Sequence, residues 1–210
     1  MKKTLLLCAI TLLSLIGFKS FAQSFDGGLT AGVVASQING DGYSGYHQIG
    51  WTAGVFGRIP TDGPSSWQLE MKYSLFGSHS DVKEWPEMSI RLHYIEMPIM
   101  YRYCLSKLNI NGKHLDFITF EIGLSGDFLI ANTQEYEHDG GYENSSYLFC
   151  SVTGNVGFQF DINRQLGLNI RTMNSLTPCR LTPGAGSYFL HWFNIVLQAT
   201  VTYTIFHKGN

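Results

Sequence analysis

Residues 67–76 read WQLEMKYSLF, and their side chains alternate between the two faces of an extended chain. One face carries Trp67, Leu69, Met71, Tyr73 and Leu75. The opposite face carries Gln68, Glu70, Lys72, Ser74 and Phe76. Because successive side chains of a β-strand point to opposite sides, this period of two predicts a strand with one apolar and one mostly polar face.

The same alternation recurs along the chain. It is strong over 117–131, 147–160 and 189–205, and weaker over 25–36, 49–58, 90–105 and 166–174. Together these segments predict eight strands, an even number that can close into a barrel. Strands of about 9–15 residues exceed the common globular length of about 5–6. They reach the roughly 9–11 residues with which a tilted strand crosses a bilayer.

The predicted connections alternate between long and short. The long ones are 37–48, 79–89, 132–146 and 175–188, and the short ones are 59–66, 106–116 and 161–165. Outer-membrane barrels combine long surface loops with short periplasmic turns. We therefore predict an all-β fold, a single eight-stranded antiparallel up-and-down transmembrane β-barrel over residues 23–210. Both termini would be periplasmic, and the four long loops would be the surfaces that contact a protein partner.

Composition supports a membrane location. Of the 210 residues, 14% are charged, and the mean hydropathy is +0.00. A soluble surface needs roughly 25–35% charged residues, whereas a bundle of membrane helices would be more apolar. Residues 1–22 combine Lys2 and Lys3, an apolar stretch over 5–18 and small residues at Ser20 and Ala22, which predicts a cleaved signal peptide. The chain is thus expected in the outer membrane of a Gram-negative bacterium, in contact with its lipid.

The charge balance and the number of cysteines exclude some classes of protein. Loss of Lys2, Lys3 and Lys19 leaves 11 basic against 16 acidic residues, so a nucleic-acid partner is not expected. Cys104, Cys150 and Cys179 are odd in number and predict no disulfide framework, while a Cys150–Cys179 pair stays open.

Aromatic residues on the apolar faces sort by strand end. Seven fall at the predicted periplasmic end: Trp67, Tyr101, Tyr103, Phe120, Phe158, Phe160 and Tyr203. Four fall at the predicted surface end: Trp51, Phe128, Phe189 and Phe193. Amphipathic rings favour the headgroup layer, so the two sets are expected to form girdles at the two membrane interfaces.

Charged residues on the polar faces are balanced in sign. They are Arg58, Glu70, Lys72, Glu96, Arg102, Glu121, Asp127 and Arg171. The interior of an eight-stranded barrel is only wide enough for its own side chains. We therefore expect a paired network in the lumen, with an ion-selective channel as the less favoured interpretation.

Two other functions compete with a structural barrel. A soluble lipocalin-like carrier would turn the apolar faces inward around a ligand, but the polar faces then offer too few charges for a solvated surface. A lipid-modifying enzyme would need a nucleophile beside His93 or His191, which lie near the surface rim. Ser89 shares the face of His93, but no deacylase motif surrounds it.

No cofactor or metal site is predicted. Residues 134–143 combine four carboxylates with His138 but lack the spacing of a calcium loop. No phosphate-cradling glycine loop, CxxC pair, HExxH helix or GxSxG elbow occurs in the sequence. The chain is therefore expected not to be an enzyme.

Residues 94–103, YIEMPIMYRY, resemble the PorT-like outer-membrane β-barrel family of Bacteroidetes. The matching segments, in order, are GGLTAG at 27–32, GWTAGVF at 50–56, LEMKYS at 69–74 followed by Gly77, EIGLSG at 121–126, and YTIF at 203–206. The resemblance implies an outer-membrane barrel of structural, adhesive or secretion-accessory type. The chain departs from it in the four residues after Phe206 and in the segment between strands five and six.

Pro98 interrupts an otherwise regular strand pattern. Proline removes a ladder hydrogen bond and usually marks a bulge or an edge, and a closed barrel has no edge. We therefore predict a bulge at Met97–Pro98 that directs Glu96 into the lumen.

Overall fold

The computed structural model describes residues 25–40, 45–80, 88–110, 113–136, 147–181 and 191–207. Eight long strands make the barrel: β1 Asp26–Asn39, β2 Gln48–Pro60, β3 Ser65–His79, β4 Met88–Cys104, β5 Ile118–Tyr136, β6 Cys150–Asp161, β7 Leu166–Ser175 and β8 Phe193–His207. Each strand pairs antiparallel with its neighbours in sequence, and β1 pairs with β8 to close the sheet. The predicted fold class is confirmed.

The two ends of the barrel differ in their connections. Asp26 and His207 lie at one end, which we call the terminal end, and Asn39 and Phe193 lie at the other, the distal end. Two terminal turns span 61–64 and 162–165. The third terminal connection, 105–117, is longer and holds a 3-10 turn, Leu105–Lys107, and a pair of two-residue strands, Asn109–Ile110 and Lys113–His114. None of the helical structure in the described part of the chain is long and apolar enough to cross a membrane.

The distal connections differ from the predicted loops, because β1, β4 and β5 run further into them while β6 and β8 begin three and four residues later than predicted. They span 40–47, 80–87, 137–149 and 176–192. β5, for example, continues to Tyr136, five residues beyond the predicted limit of 131. Predicted loop residues such as Gln37 and Ser89 therefore belong to strands.

The two faces of the strands have opposite chemistry. The outer face carries apolar side chains such as Leu69 and Ile99, which are 53% and 55% exposed. Polar side chains such as Glu96 and Glu121 point inward, and both are 0% exposed. This arrangement excludes the lipocalin-like alternative, because its apolar faces would have to line the interior.

An apolar cluster fills the distal half of the lumen, which the sequence analysis did not anticipate. Its buried members are Val34, Ile38, Phe76, Ile90, Leu92, Tyr94, Leu129, Met173, Cys179 and Val196. The rings of Phe76 and Tyr94 lie 5.3 Å apart between their centroids. The lumen is thus apolar in its distal half and charged below it.

The prediction of a bulge at Met97–Pro98 is wrong. Both residues keep a continuous register with β5, pairing with Gly126 and Ser125. The irregularity lies four residues earlier, where His93 pairs with Ala131 but Tyr94 pairs with Leu129. Glu96 reaches the lumen through ordinary strand alternation: Met97 and Pro98 are missing from the ladder with β3, but its register is the same on either side of them.

Gly77 bends the distal end of β3 over the lumen. Its φ of +153° lies where residues with a Cβ are rarely found. Its backbone N–H donates to Ser36 Oγ at 2.9 Å, and Ser36 Oγ donates to the Gly77 carbonyl at 3.1 Å. β3 therefore contacts β1 across the intervening strand β2, and Phe76 enters the apolar cluster.

Candidate functional site

Six charged residues form a continuous ion-pair network below the apolar cluster. Acid and base alternate in the order Glu96, Lys72, Glu70, Arg171, Glu121, Arg102. Lys72 Nζ lies 3.1 Å from Glu96 and 3.2 Å from Glu70. Every side chain in the network is at most 4% exposed. Alternation of sign places each of these buried charges beside at least one opposite charge.

Arg171 spans the bore of the barrel. It belongs to β7, and its guanidinium donates to both carboxylate oxygens of Glu70 on β3 at 2.9 and 3.0 Å. These strands are four positions apart in the closed eight-strand order, so they stand on opposite walls. The same guanidinium donates to Glu121 at 2.9 Å. Such two-pronged pairing matches the planar fork of arginine to carboxylate geometry.

Neutral amides complete the network, and the sequence analysis assigned them no role. Gln198 on β8 donates to Glu96 on the opposite strand β4 at 3.0 Å and accepts from Lys72 at 2.9 Å. Asn169 and Gln68 each donate to a network carboxylate. Their place on the polar faces was readable from strand alternation, but their partners stand on distant strands.

Two of the eight predicted lumen charges lie outside this network. Asp127 accepts a hydrogen bond from Thr153, and its other carboxylate oxygen has no partner. Arg58 lies at the terminal end, 3.9 Å from Asp26, and donates to Gln68 at 3.1 Å. The structure thus brings six of the predicted charges together and places two elsewhere.

A pocket opens at the terminal end of the lumen. Its volume is about 310 Å³, and its lining includes Arg58, Asp161, Gln165 and Thr204. The ion-pair network and the apolar cluster lie on its distal side, so the pocket ends within the barrel.

The predicted aromatic residues lie on the outer wall. At the terminal end, Trp67 packs against Tyr101 at 5.2 Å and Phe120 against Phe158 at 5.5 Å between ring centroids. Tyr103, Phe160 and Tyr203 occupy the same end of their strands. At the distal end, Phe128 packs against Phe149, and Trp51 and Phe193 lie near the ends of β2 and β8. Phe189 lies outside the described residues.

His93 shares a hydrogen bond with Tyr73 through its Nδ1 atom, not with a serine. Ser89 is four residues away on the same strand, about 13 Å at the usual rise per residue. His191 lies in the connection before β8. His93 therefore has a tyrosine, and no serine, aligned beside it in the described structure.

The described part of the chain groups no set of metal-binding side chains together. Most of the acidic segment 134–143 lies outside the described residues. Within the described ranges, no group of three histidine, cysteine or carboxylate side chains could hold a metal ion. Cys104, Cys150 and Cys179 form no disulfide with one another, so the possible Cys150–Cys179 pair is not formed.

Solved outer-membrane proteins share this fold at low sequence identity. Ail, the attachment invasion locus protein of Yersinia pestis, is 12% identical, with a TM-score of 0.53 over 86% of this chain and 98% of Ail. Ail in complex with the heparin analogue sucrose octasulfate gives 11% identity and a TM-score of 0.51 over 87% and 99% of the two chains. Neisserial surface protein A is 10% identical, with a TM-score of 0.52 over 85% and 97%.

The sequence itself carries a family signature. Among curated protein sequences, none matches the chain. Residues 21–180, however, match the outer membrane protein beta-barrel domain family, and this range covers most of the barrel. With the closed sheet and the apolar outer wall, the match leads to one conclusion: the chain belongs to the outer membrane protein beta-barrel domain family.

Proposed function

We propose that this outer-membrane barrel is a closed, non-enzymatic protein of structural, adhesive or secretion-accessory type that acts through its distal loops. The observation that carries the proposal is the Arg171–Glu70 pair, which joins opposite walls of the lumen. Gln198 and Glu96 make a second link across the bore. A filled lumen leaves the loop surfaces as the place where the protein meets other molecules.

The distal end would face outward and both termini the periplasm. Two of the three terminal connections are four-residue turns, whereas the distal connections run from 8 to 17 residues, which supports this orientation. The two aromatic sets would then lie at the two membrane interfaces, in contact with outer-membrane lipid. Partner contacts would involve the predicted loops 37–48, 79–89, 132–146 and 175–188. Residues 1–22 would be removed as a signal peptide.

The finer assignment to the PorT-like family is also a proposal, supported by the motif at 94–103. The name of Ail describes attachment and invasion, which supports an adhesive role among the alternatives. If the role is instead secretion-accessory, deletion of the gene should reduce the export of secreted proteins.

Membrane orientation is tested with single cysteines in whole cells. Cys104, Cys150 and Cys179 are changed to serine, and either Gly140→Cys or Gly63→Cys is added. An impermeant maleimide should label the first variant in intact cells and the second, at a terminal turn, only after lysis. The reverse pattern would overturn the orientation.

The closed lumen is tested in two ways. Unboiled protein from the outer-membrane fraction should migrate faster than boiled protein on a gel. In planar bilayers the same preparation should show no stepwise ion conductance, while a porin in parallel should. A steady open channel would contradict the structural proposal and revive the ion-selective interpretation.

A further inference from the structure

The pocket at the terminal end of the lumen, here called the terminal pocket, carries opposite charges on opposite walls. Arg58 on β2 and Asp161 at the end of β6 both line it. Their strands are four positions apart in the closed eight-strand order, so they stand across the bore from each other. Thr204, on β8 between them, is buried in the pocket wall. The exposed rim adds one further charge of each sign, Arg164 and Asp116.

The Arg58 guanidinium is held in place by its neighbours but keeps its terminal nitrogens. Its Nε donates to Gln68 Oε1 at 3.1 Å, and its Cζ atom lies over the Phe56 ring, 5.3 Å from the centroid. Its Nη1 atom lies 3.9 Å from Asp26, which is too far for a hydrogen bond. Among the residues that the structure describes, none accepts a hydrogen bond from either Nη atom. The fork with which arginine binds a carboxylate is therefore available to a ligand.

The Asp161 carboxylate is also held from one side. Gln159 is 2% exposed, and its Nε2 atom donates to Asp161 Oδ1 at 3.3 Å and to Thr202 Oγ1 at 2.8 Å. A Cβ added at Gly167 would collide with this amide nitrogen, so the glycine makes room for it. No side chain in the described ranges donates to Asp161 Oδ2. One carboxylate oxygen thus remains for a donor in the pocket.

This arrangement favours a small ligand that carries both signs of charge. A simple anion beside Arg58 would also face the Asp161 carboxylate, and a simple cation beside Asp161 would also face Arg58. A molecule with a carboxylate and an ammonium group pairs with both walls at once. The pocket has a volume of about 310 Å³ and ends at the ion-pair network, so a ligand of modest size fills it.

We propose that the terminal pocket binds a free α-amino acid. The carboxylate of the ligand would accept hydrogen bonds from the two Nη atoms of Arg58 and from the Thr204 hydroxyl. The ammonium group would donate to Asp161 Oδ2. Because neighbouring side chains already hold Arg58 and Asp161, little conformational freedom is lost on binding. With the terminal end in the periplasm, as proposed above, the amino acid would enter from the periplasm.

The test is saturation-transfer difference NMR of the folded protein in deuterated detergent, with three probes of similar size. L-Alanine carries both charges, propionate carries only the carboxylate, and ethylamine carries only the ammonium group. Alanine should bind saturably. Propionate and ethylamine should each bind at least about tenfold more weakly, because each forms only one of the two charge-assisted hydrogen-bonded pairs.

Two variants assign each charge of the ligand to one wall. Arg58→Gln should weaken the binding of alanine and propionate at least about tenfold without weakening that of ethylamine. Asp161→Asn keeps an oxygen for Gln159 and should weaken alanine and ethylamine without weakening propionate. A purely structural effect would change all three probes alike. Asp62→Asn is the matched control, because Asp62 is an exposed acid in the terminal turn 61–64 and does not line the pocket.

Three outcomes would overturn the inference. Alanine could give no saturable signal in a sample whose heat-dependent gel shift shows a closed barrel. Propionate or ethylamine could bind as tightly as alanine, which would indicate a site for a simple ion. Alanine binding could fall as much in Asp62→Asn as in Asp161→Asn. The gel shift and the conductance measurement test the closed barrel itself, so each of these outcomes leaves the proposed function standing.

Discussion

At the scale of single residues, Arg171 links both walls of the lumen through two carboxylates. Its loss would leave Glu70 and Glu121, which are both buried, without their shared cation. Arg102, by contrast, ends the network, and without it Glu121 keeps Arg171 and Asn169. Position within the network, not charge alone, therefore sets the cost of each substitution.

We predict that Arg171→Met lowers the free energy of unfolding by about 3–5 kcal/mol, the usual cost of breaking a buried pair by removing one partner. Arg102→Met should cost less. Urea unfolding in lipid vesicles, followed by the gel shift, measures both. Arg164→Met in the exposed turn is the control and should change stability by no more than about 0.5 kcal/mol. A larger loss for Arg102 than for Arg171 would contradict the observed order of pairs.

Asp127 and Glu96 are predicted to respond oppositely to neutralisation. They are directly paired across β5 and β4, but of these two carboxylates only Glu96 forms an ion pair with Lys72. Asp127→Asn removes a like charge opposite Glu96 and should raise the free energy of unfolding by up to about 1 kcal/mol. Glu96→Gln weakens the pairing of Lys72 and should lower it by about 1–3 kcal/mol. The same unfolding assay measures both variants. A loss of stability in both would show that the Asp127 carboxylate has a stabilising partner.

At the scale of the elements, the bend in β3 depends on a residue without a side chain. An added Cβ at Gly77 would meet the Ile90 carbonyl oxygen at a φ that other residues rarely adopt. Gly126, on β5, would place a Cβ only at 3.5 Å from the Phe128 ring, which is ordinary contact. The two glycines thus form a natural comparison.

We predict that Gly77→Ala destabilises the barrel by about 1–3 kcal/mol, the typical cost of a strained backbone position. Gly126→Ala should be close to neutral. Thermal scans of the gel shift measure both variants, because the shift reports the closed barrel directly. Equal stability of the two variants would show that β3 tolerates a side chain at this bend.

At the scale of the whole molecule, the barrel turns a polar interior towards itself and an apolar wall towards lipid. Val201 is outward-facing and 49% exposed near the middle of β8. Ile49 is also outward-facing and 64% exposed, but it lies at the distal end of β2. The two positions face the same way but lie at different depths, so substitutions at them test whether the outer wall spans a bilayer.

Val201→Arg should lower stability in lipid vesicles by about 2–4 kcal/mol, whereas Ile49→Arg should cost about 0–1 kcal/mol. The difference arises because an arginine at mid-depth must leave its charge in hydrocarbon, while one near the rim reaches water. Urea titration of vesicle-refolded protein measures both. Equal costs at the two depths would mean that the outer wall does not span a bilayer.

The sequence by itself determined the strands, the barrel and the direction of each face. Alternation is local, so Gln68, Glu70 and Lys72 show their inward direction within a few residues of chain. The same local alternation identified the outward-facing aromatic residues at the strand ends. Local periodicity does not encode which charge meets which, how far strands continue into loops, or where a ladder shifts.

Those matters were decided only by the tertiary structure. Glu70 and Arg171 are 101 residues apart in sequence and meet because closure of the sheet sets β3 against β7. Asp127 stands directly opposite Glu96, which is another acid, and Arg58 lies at the terminal end beside Asp26, so neither joins the network. The ladder shift occurs at His93, not at Pro98, because register is fixed by pairing between strands. Phe76 points inward by alternation, but the apolar cluster that it joins is assembled from distant strands.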